Sequence, residues 1–152
     1  MKKVICFYHG ADLDGKCSGA IVKNVFPDAK LIPCDYGYKI DWSLINKDTV
    51  VIMTDFSFPK DDMIRLKKES KQFIWIDHHI SKINELKDIE FDGLRVDGTA
   101  ACVLTWIFFM KDNNPPISIR LIGDYDIWNL PQSVLCMQYG IRQYDCEPEN
   151  QI

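Results

Sequence analysis

Carboxylates and imidazoles recur in this chain where apolar runs stop. Asp77-His78-His79 follows Phe73-Ile74-Trp75-Ile76, and His9-x-x-Asp12-x-Asp14-Gly15 follows Val4-Ile5-Cys6-Phe7-Tyr8. Val50-Val51-Ile52-Met53 runs through Thr54 into Asp55, and Asp124 and Asp126 follow Ile119-Arg120-Leu121-Ile122. One such Asp is ordinary, since aspartate starts turns and caps helices. Acids or histidines after three apolar runs, with another pair of acids later, point instead to a divalent cation. Carboxylates gathered at one place raise each other's pKa unless a cation offsets them. Mixed imidazole and carboxylate donors suit a borderline ion, so Mn²⁺ is expected ahead of Mg²⁺.

The elements that must position these groups read as an α/β fold. Short apolar runs bounded by polar residues are buried β-strands. Residues 15–26 read as a helix ended by Pro27-Asp28, and 30–34 as an edge strand, because Pro33 cannot complete a ladder. Ser57-Phe58-Pro59 opens a helix to about Ser70, with acids early and lysines late to match its dipole. A short polar helix or loop over 81–88 precedes an expected last strand at 89–96. Residues 99–111 then form a helix against the sheet, and Pro115-Pro116 starts another that carries Asp124. The expectation is a doubly wound, mainly parallel five-stranded sheet flanked by helices, with a helical C-terminal part. Ligands in such sheets bind beyond the carboxyl ends of the strands, where the Asp and His residues lie.

Composition bounds the function. The 152 residues, 47% hydrophobic, suit one domain with one core, and the net charge of −4 argues against generic binding to long nucleic acid. Six cysteines without a C-x-x-C pair suggest a reduced, cytoplasmic protein. The longest apolar stretch, Ala100 to Met110, is too short to span a bilayer, so no membrane partner is expected.

Five ordered markers resemble the DHH phosphoesterases, which include RecJ-type exonucleases, oligoribonucleases, cyclic-dinucleotide phosphodiesterases and manganese pyrophosphatases. They are His9-x-x-Asp12-x-Asp14-Gly15, Asp55, Asp77-His78-His79, Gly98-Thr99-Ala100-Ala101 and Gly123-Asp124-Tyr125-Asp126-x-Trp128. The resemblance covers nearly all of the chain. One interval departs from the common pattern, with two residues rather than three between His9 and Asp12.

The resemblance implies a two-metal phosphoesterase acting on small nucleotide substrates such as short oligonucleotides or cyclic dinucleotides. Asp55, alone at the end of a central strand, is the expected bridge. Asp12 would serve one ion with His9 as partner, and Asp14, His78 and Asp124 the other. The family pattern favours Asp124 over Asp126; if the segment is helical, only one of them can face the site. Asp77 is expected to orient a ligating imidazole from outside, and His79 to face the scissile phosphate. The helix start at Gly98 and Thr99 could receive a phosphate, with local capping by Thr99 an equal alternative.

Related enzymes carry a second, C-terminal substrate-binding domain; residues 1–152 read as the DHH-type domain without it, and a homodimer is left open. Long double-stranded nucleic acid is not an expected partner. Tyr36, Tyr38 and Trp128 are candidates to stack on a base. Two rival readings stand beside this one: a pyrophosphatase, and a metal-stabilised subunit of a nucleic-acid assembly that does not hydrolyse.

Overall fold

The computed structural model describes residues 3–150. Its order is β1 (Lys3–His9), α1 (Leu13–Val25), β2 (Lys30–Cys34), a 3-10 turn (Trp42–Leu44), β3 (Thr49–Thr54), α2 (Lys60–Glu69), β4 (Gln72–Ile76), α3 (Ile80–Glu85), α4 (Ala101–Met110), α5 (Ile117–Asp126) and α6 (Gln132–Ile141). The strands form one all-parallel sheet in the order β2-β1-β3-β4. From β1 the chain crosses to one side for β2, then returns past β1 to lay β3 on the other. The order therefore reverses between β1 and β3, and the helices that follow them, α1 and α2, lie on opposite faces of the sheet.

Alternation along the strands splits the core into two layers. Ile5, Phe7, Val51, Met53, Phe73 and Trp75 face Met63 and Leu66 of α2, together with Phe58 and Leu86. Val4, Cys6, Tyr8, Ile52, Ile74 and Ile76 face Val22 of α1 and Leu104 of α4. Every residue of β3 is buried, as a central strand covered on both faces must be. Met63 and Leu66 are fully buried, each worth roughly 1.5–3 kcal/mol by area. A third cluster, with Ile21, Cys102, Ile119 and Ile122, joins the helical C-terminal part to α1 and α4. Among the described residues no helix is long and apolar enough to cross a membrane.

The parallel α/β architecture is as expected, with four strands where the sequence suggested five. The segment over 89–96 does lie beside β4, through parallel bridges Ile74 to Asp92 and Asp77 to Arg95. Trp75 N donates to Asp92 O at 2.8 Å and Asp77 N to Leu94 O at 3.1 Å. Between them Gly93 takes φ +114°, and a Cβ there would sit 2.1 Å from Trp75 O, so the ladder breaks at the point of closest approach.

Candidate metal centre

Each strand end delivers its group by a local device. β1 ends on His9, and Asp12 then caps α1, its Oδ1 accepting from Gly15 N at 2.9 Å. Capping and site placement are one arrangement here, because the same carboxylate turns its Oδ2 to within 2.7 Å of His9 Nδ1. Gly15 permits it: a Cβ at that position would lie 2.0 Å from His9 O. Asp55 follows β3 with φ +56°, a left-handed conformation that costs a non-glycine residue roughly 1–2 kcal/mol. Its N–H is held by Ile76 O at 3.0 Å, which sets the ends of β3 and β4 level.

Asp55 stands between two histidines. Its Oδ2 is 3.6 Å from His9 Nδ1, and its Oδ1 is 3.3 Å from His78 Nε2. His78 Nε2 also lies 3.2 Å from Asp126 Oδ2 and 3.8 Å from Asp14 Oδ2. The groups His9–Asp12–Asp55 and Asp14–His78–Asp126 each bring three donor atoms within 4.8 Å of one another, as does Asp55–His78–His79. Two donor clusters thus adjoin through Asp55, which is nearly inaccessible to solvent.

The donor set fits a cation. His9 Nδ1 and Asp55 Oδ2 are buried without a hydrogen bond of acceptable direction, although each has an ionisable neighbour close by. Such orphans are rare in a folded interior, and a cation between them would satisfy both. The electrostatics agree. Asp12, then Asp55, push the His9 imidazole up to about 10, against the effect of burial. Burial pulls His78 down, but Asp55, Asp14 and Asp126 outweigh it and raise it to about 9. Burial first, then Asp55, raise both Asp14 and Asp126 above the usual carboxylate range. The concentrated negative charge therefore holds protons that a cation would displace.

The remaining expected residues are placed as follows. Asp77 is fully buried and saturated: Oδ1 accepts from His78 N at 2.8 Å and His79 N at 3.1 Å, and lies 2.6 Å from His79 Nδ1. Its Oδ2 accepts from Trp75 Nε1 at 3.1 Å. Asp77 therefore orients its neighbours and is not a donor to the clusters. His79, partly exposed, has its Nδ1 tied to Asp77, which raises its pKa and leaves Nε2 without a partner among the described residues.

Asp124 is a correction. It is turned away, its Oδ1 accepting from Asn129 Nδ2 at 3.1 Å, and Asp126 meets His78 instead. Two residues are about 200° apart on a helix, so the pair cannot share a face. Asp126 continues the buried face of Ile119, Ile122 and Gly123, and that i, i+3, i+7 spacing was the signal available in the sequence.

Gly98 and Thr99 also stand outside the centre. α4 begins at Ala101 with no side-chain cap. Its first N–H groups are given to Asp14, Ala101 N to Oδ2 at 2.8 Å and Cys102 N to Oδ1 at 2.7 Å. The helix start expected to receive a phosphate holds the carboxylate of Asp14, which brings the same charge to the same dipole.

Trp75 was read only as part of a strand. Its indole N–H, shared between Asp77 Oδ2 and Phe56 O, fixes the carboxylate that orients His79. Asp77 continues the extended backbone one residue past β4, two positions from Trp75, so the two side chains point the same way.

No family model matches the chain. It is similar to a protein of Acanthamoeba polyphaga mimivirus described only as uncharacterized, 28% identical over 159 aligned positions. The match takes in 91% of this chain and 37% of that protein, so the chain spans a little over a third of its relative's length.

Proposed function

We propose that this chain hydrolyses phosphoester bonds of small nucleotide substrates, such as short oligonucleotides or cyclic dinucleotides, in the manner of the DHH phosphoesterases it resembles. The observation that carries the reading is Asp55, whose two oxygens face the histidines of two adjoining donor clusters. His9, Asp12 and Asp55 would hold one divalent cation, and Asp14, His78 and Asp126, with Asp55, a second. The nitrogen and oxygen donors favour Mn²⁺, with Mg²⁺ the second choice. When bound, such ions supply Lewis acidity and charge neutralisation at a phosphate.

The chain's own residues do the rest. Asp77 fixes the His79 ring through Nδ1 and favours its protonated form. His79 Nε2 then serves as a proton donor at the phosphate. As a water oxygen bonds to phosphorus, the ester P–O bond breaks and the departing oxygen takes the proton from Nε2. The proton released by the water passes to solvent, from which the His79 imidazole is reprotonated for the next turnover. Asp12 and Asp14, anchored by backbone N–H groups, keep the donor clusters from rearranging during turnover.

The test is release of phosphate or nucleoside monophosphate with Mn²⁺ across dinucleotides, cyclic dinucleotides and pyrophosphate. Turnover of the nucleotide esters is expected. Turnover of pyrophosphate alone would move the protein to the pyrophosphatases. Bound Mn²⁺ with no turnover at all would favour a non-hydrolytic binding subunit.

A further inference from the structure

We propose that Tyr36, backed by Phe56, offers an open stacking slot for a nucleobase beside the candidate centre, making the base attached to the reacting phosphate a main source of affinity. The inference rests on the phosphoester reading and deepens it. A small cleft of about 70 Å³ is lined by His9, Asp55 and His79 together with Tyr36 and Phe56, so a base would lie on the exposed Tyr36 ring at its mouth and not inside it. A ring stacked on the outer face of Tyr36 would thus be attached to a phosphate lying at His79 and Asp55.

The two aromatics differ in a way that suits such a slot. Phe56 is 8% exposed and fixed from behind, edge-on to Phe58 at 5.3 Å and stacked on the His9 ring at 6.1 Å. Tyr36 is 86% exposed, its ring centre 6.1 Å from that of Phe56 and tilted by 59°. Its hydroxyl makes no hydrogen bond among the described residues. A large, exposed aromatic at the mouth of a polar site is the sort of surface that binding buries.

Its backbone is not loose. Asp35 Oδ1 accepts from Tyr36 N at 2.7 Å, Asp35 O accepts from Tyr38 N at 3.0 Å, and Gly10 N ties the start of the turn to Cys34 O at 2.9 Å. Tyr36 is therefore held out by a short, anchored turn at the end of β2.

The other aromatics suggested by the sequence are placed differently. Tyr38 packs edge-on to the buried Phe7 at 6.4 Å and against Phe58 at 6.2 Å, as part of the wall. Trp128 is exposed beyond the end of α5 and does not line this cleft. Stacking is indifferent to base identity because every base offers a π-face. The slot should therefore distinguish a base from no base far more than one base from another.

Calorimetry with Mn²⁺ present tests this through paired probes, adenosine 5′-monophosphate and ribose 5-phosphate, on wild type, Tyr36→Ala and Tyr36→Phe. Wild type should bind the nucleotide about tenfold more tightly than the sugar phosphate. Tyr36→Ala should bring that ratio close to one, and Tyr36→Phe should keep it. An unchanged ratio in Tyr36→Ala, equal weakening of both probes, or no binding of either by wild type would overturn the slot. Hydrolysis of a dinucleotide by the same proteins separates the two readings. A Tyr36-dependent binding ratio without turnover would keep the slot and remove the phosphoesterase, and turnover without that ratio would do the reverse.

Discussion

The His9–Asp12 side of the centre is made within a single loop, whereas the Asp14–His78–Asp126 side draws on α1, the end of β4 and the last turn of α5. On the first side, the cap that starts α1 also sets the carboxylate against the imidazole, and the contact spans three residues. On the second, Asp14 reaches the start of α4, 87 and 88 positions away, and meets His78 beside an acid from α5. The first side can form as soon as β1 and α1 dock. The second exists only when the helical C-terminal part is packed, so its donors report on the whole fold. Asp55 belongs to both.

The largest effect that would break this comparison is at Asp55. Asp55→Ala should strip cations from both sides and cost more than the roughly 10–100-fold in affinity or activity that loss of a supporting partner costs. His9→Ala should empty only its own side. Metal stoichiometry and turnover measured side by side decide it, and greater metal loss in His9→Ala would mean that Asp55 is not shared.

Next comes the pair on α5. Asp126→Ala should weaken Mn²⁺ at the second side by about tenfold or more, with Asp124→Ala changing it less than about threefold. A Mn²⁺ titration giving the reverse order would restore Asp124 to the centre.

A smaller contrast concerns stability with chelator present. Asp14→Ala leaves two buried N–H groups without an acceptor and should cost about 1–3 kcal/mol. Asp12→Ala removes a helix cap and should cost about 1 kcal/mol. Urea unfolding with equal losses would show that the long-range side is no more tightly built than the local one.

The last contrast is with pH. His9 titrates at about 10 in the folded chain against an ordinary 6.5, so its ion pairing stabilises fully below 6.5 and is lost as pH climbs through 10. Metal-free protein should therefore show a Tm contribution from His9 that declines across that window and is absent in His9→Ala. Saturating Mn²⁺ should oppose the decline, because ligation needs the neutral imidazole. A wild-type profile matching that of His9→Ala would remove the pairing.

What could be read in advance follows the same division. β1, β3 and β4 announce themselves because each is a buried run, and the groups at their ends are consecutive with them, whereas the edge strand β2 is marked by Pro33 in a short apolar run. The identity of the acid on α5 turned on helix phase, which a motif order does not supply but the spacing of Ile119, Ile122 and Asp126 does. The partner of Asp14 was out of reach, since no local pattern says that one helix will present its first N–H groups to a carboxylate from another. The segment over 89–96 reads as a strand by composition, and only the close approach of Gly93 to Trp75 O reveals why it stays a pair of bridges.

The left-handed backbone at Asp55 sets the centre and the fold in opposition at one residue. Glycine would take φ +56° without strain and would remove a buried carboxylate oxygen that the protein alone leaves unpaired. Asp55→Gly should thus raise the urea midpoint of metal-free protein, by about 1 kcal/mol in stability, while abolishing metal binding. A chain relieved of its chemistry would have a downhill route at this position. A selection for thermal stability alone, run with chelator present, should find it early and so mark the strained carboxylate as the point where the fold and the candidate centre make opposite demands.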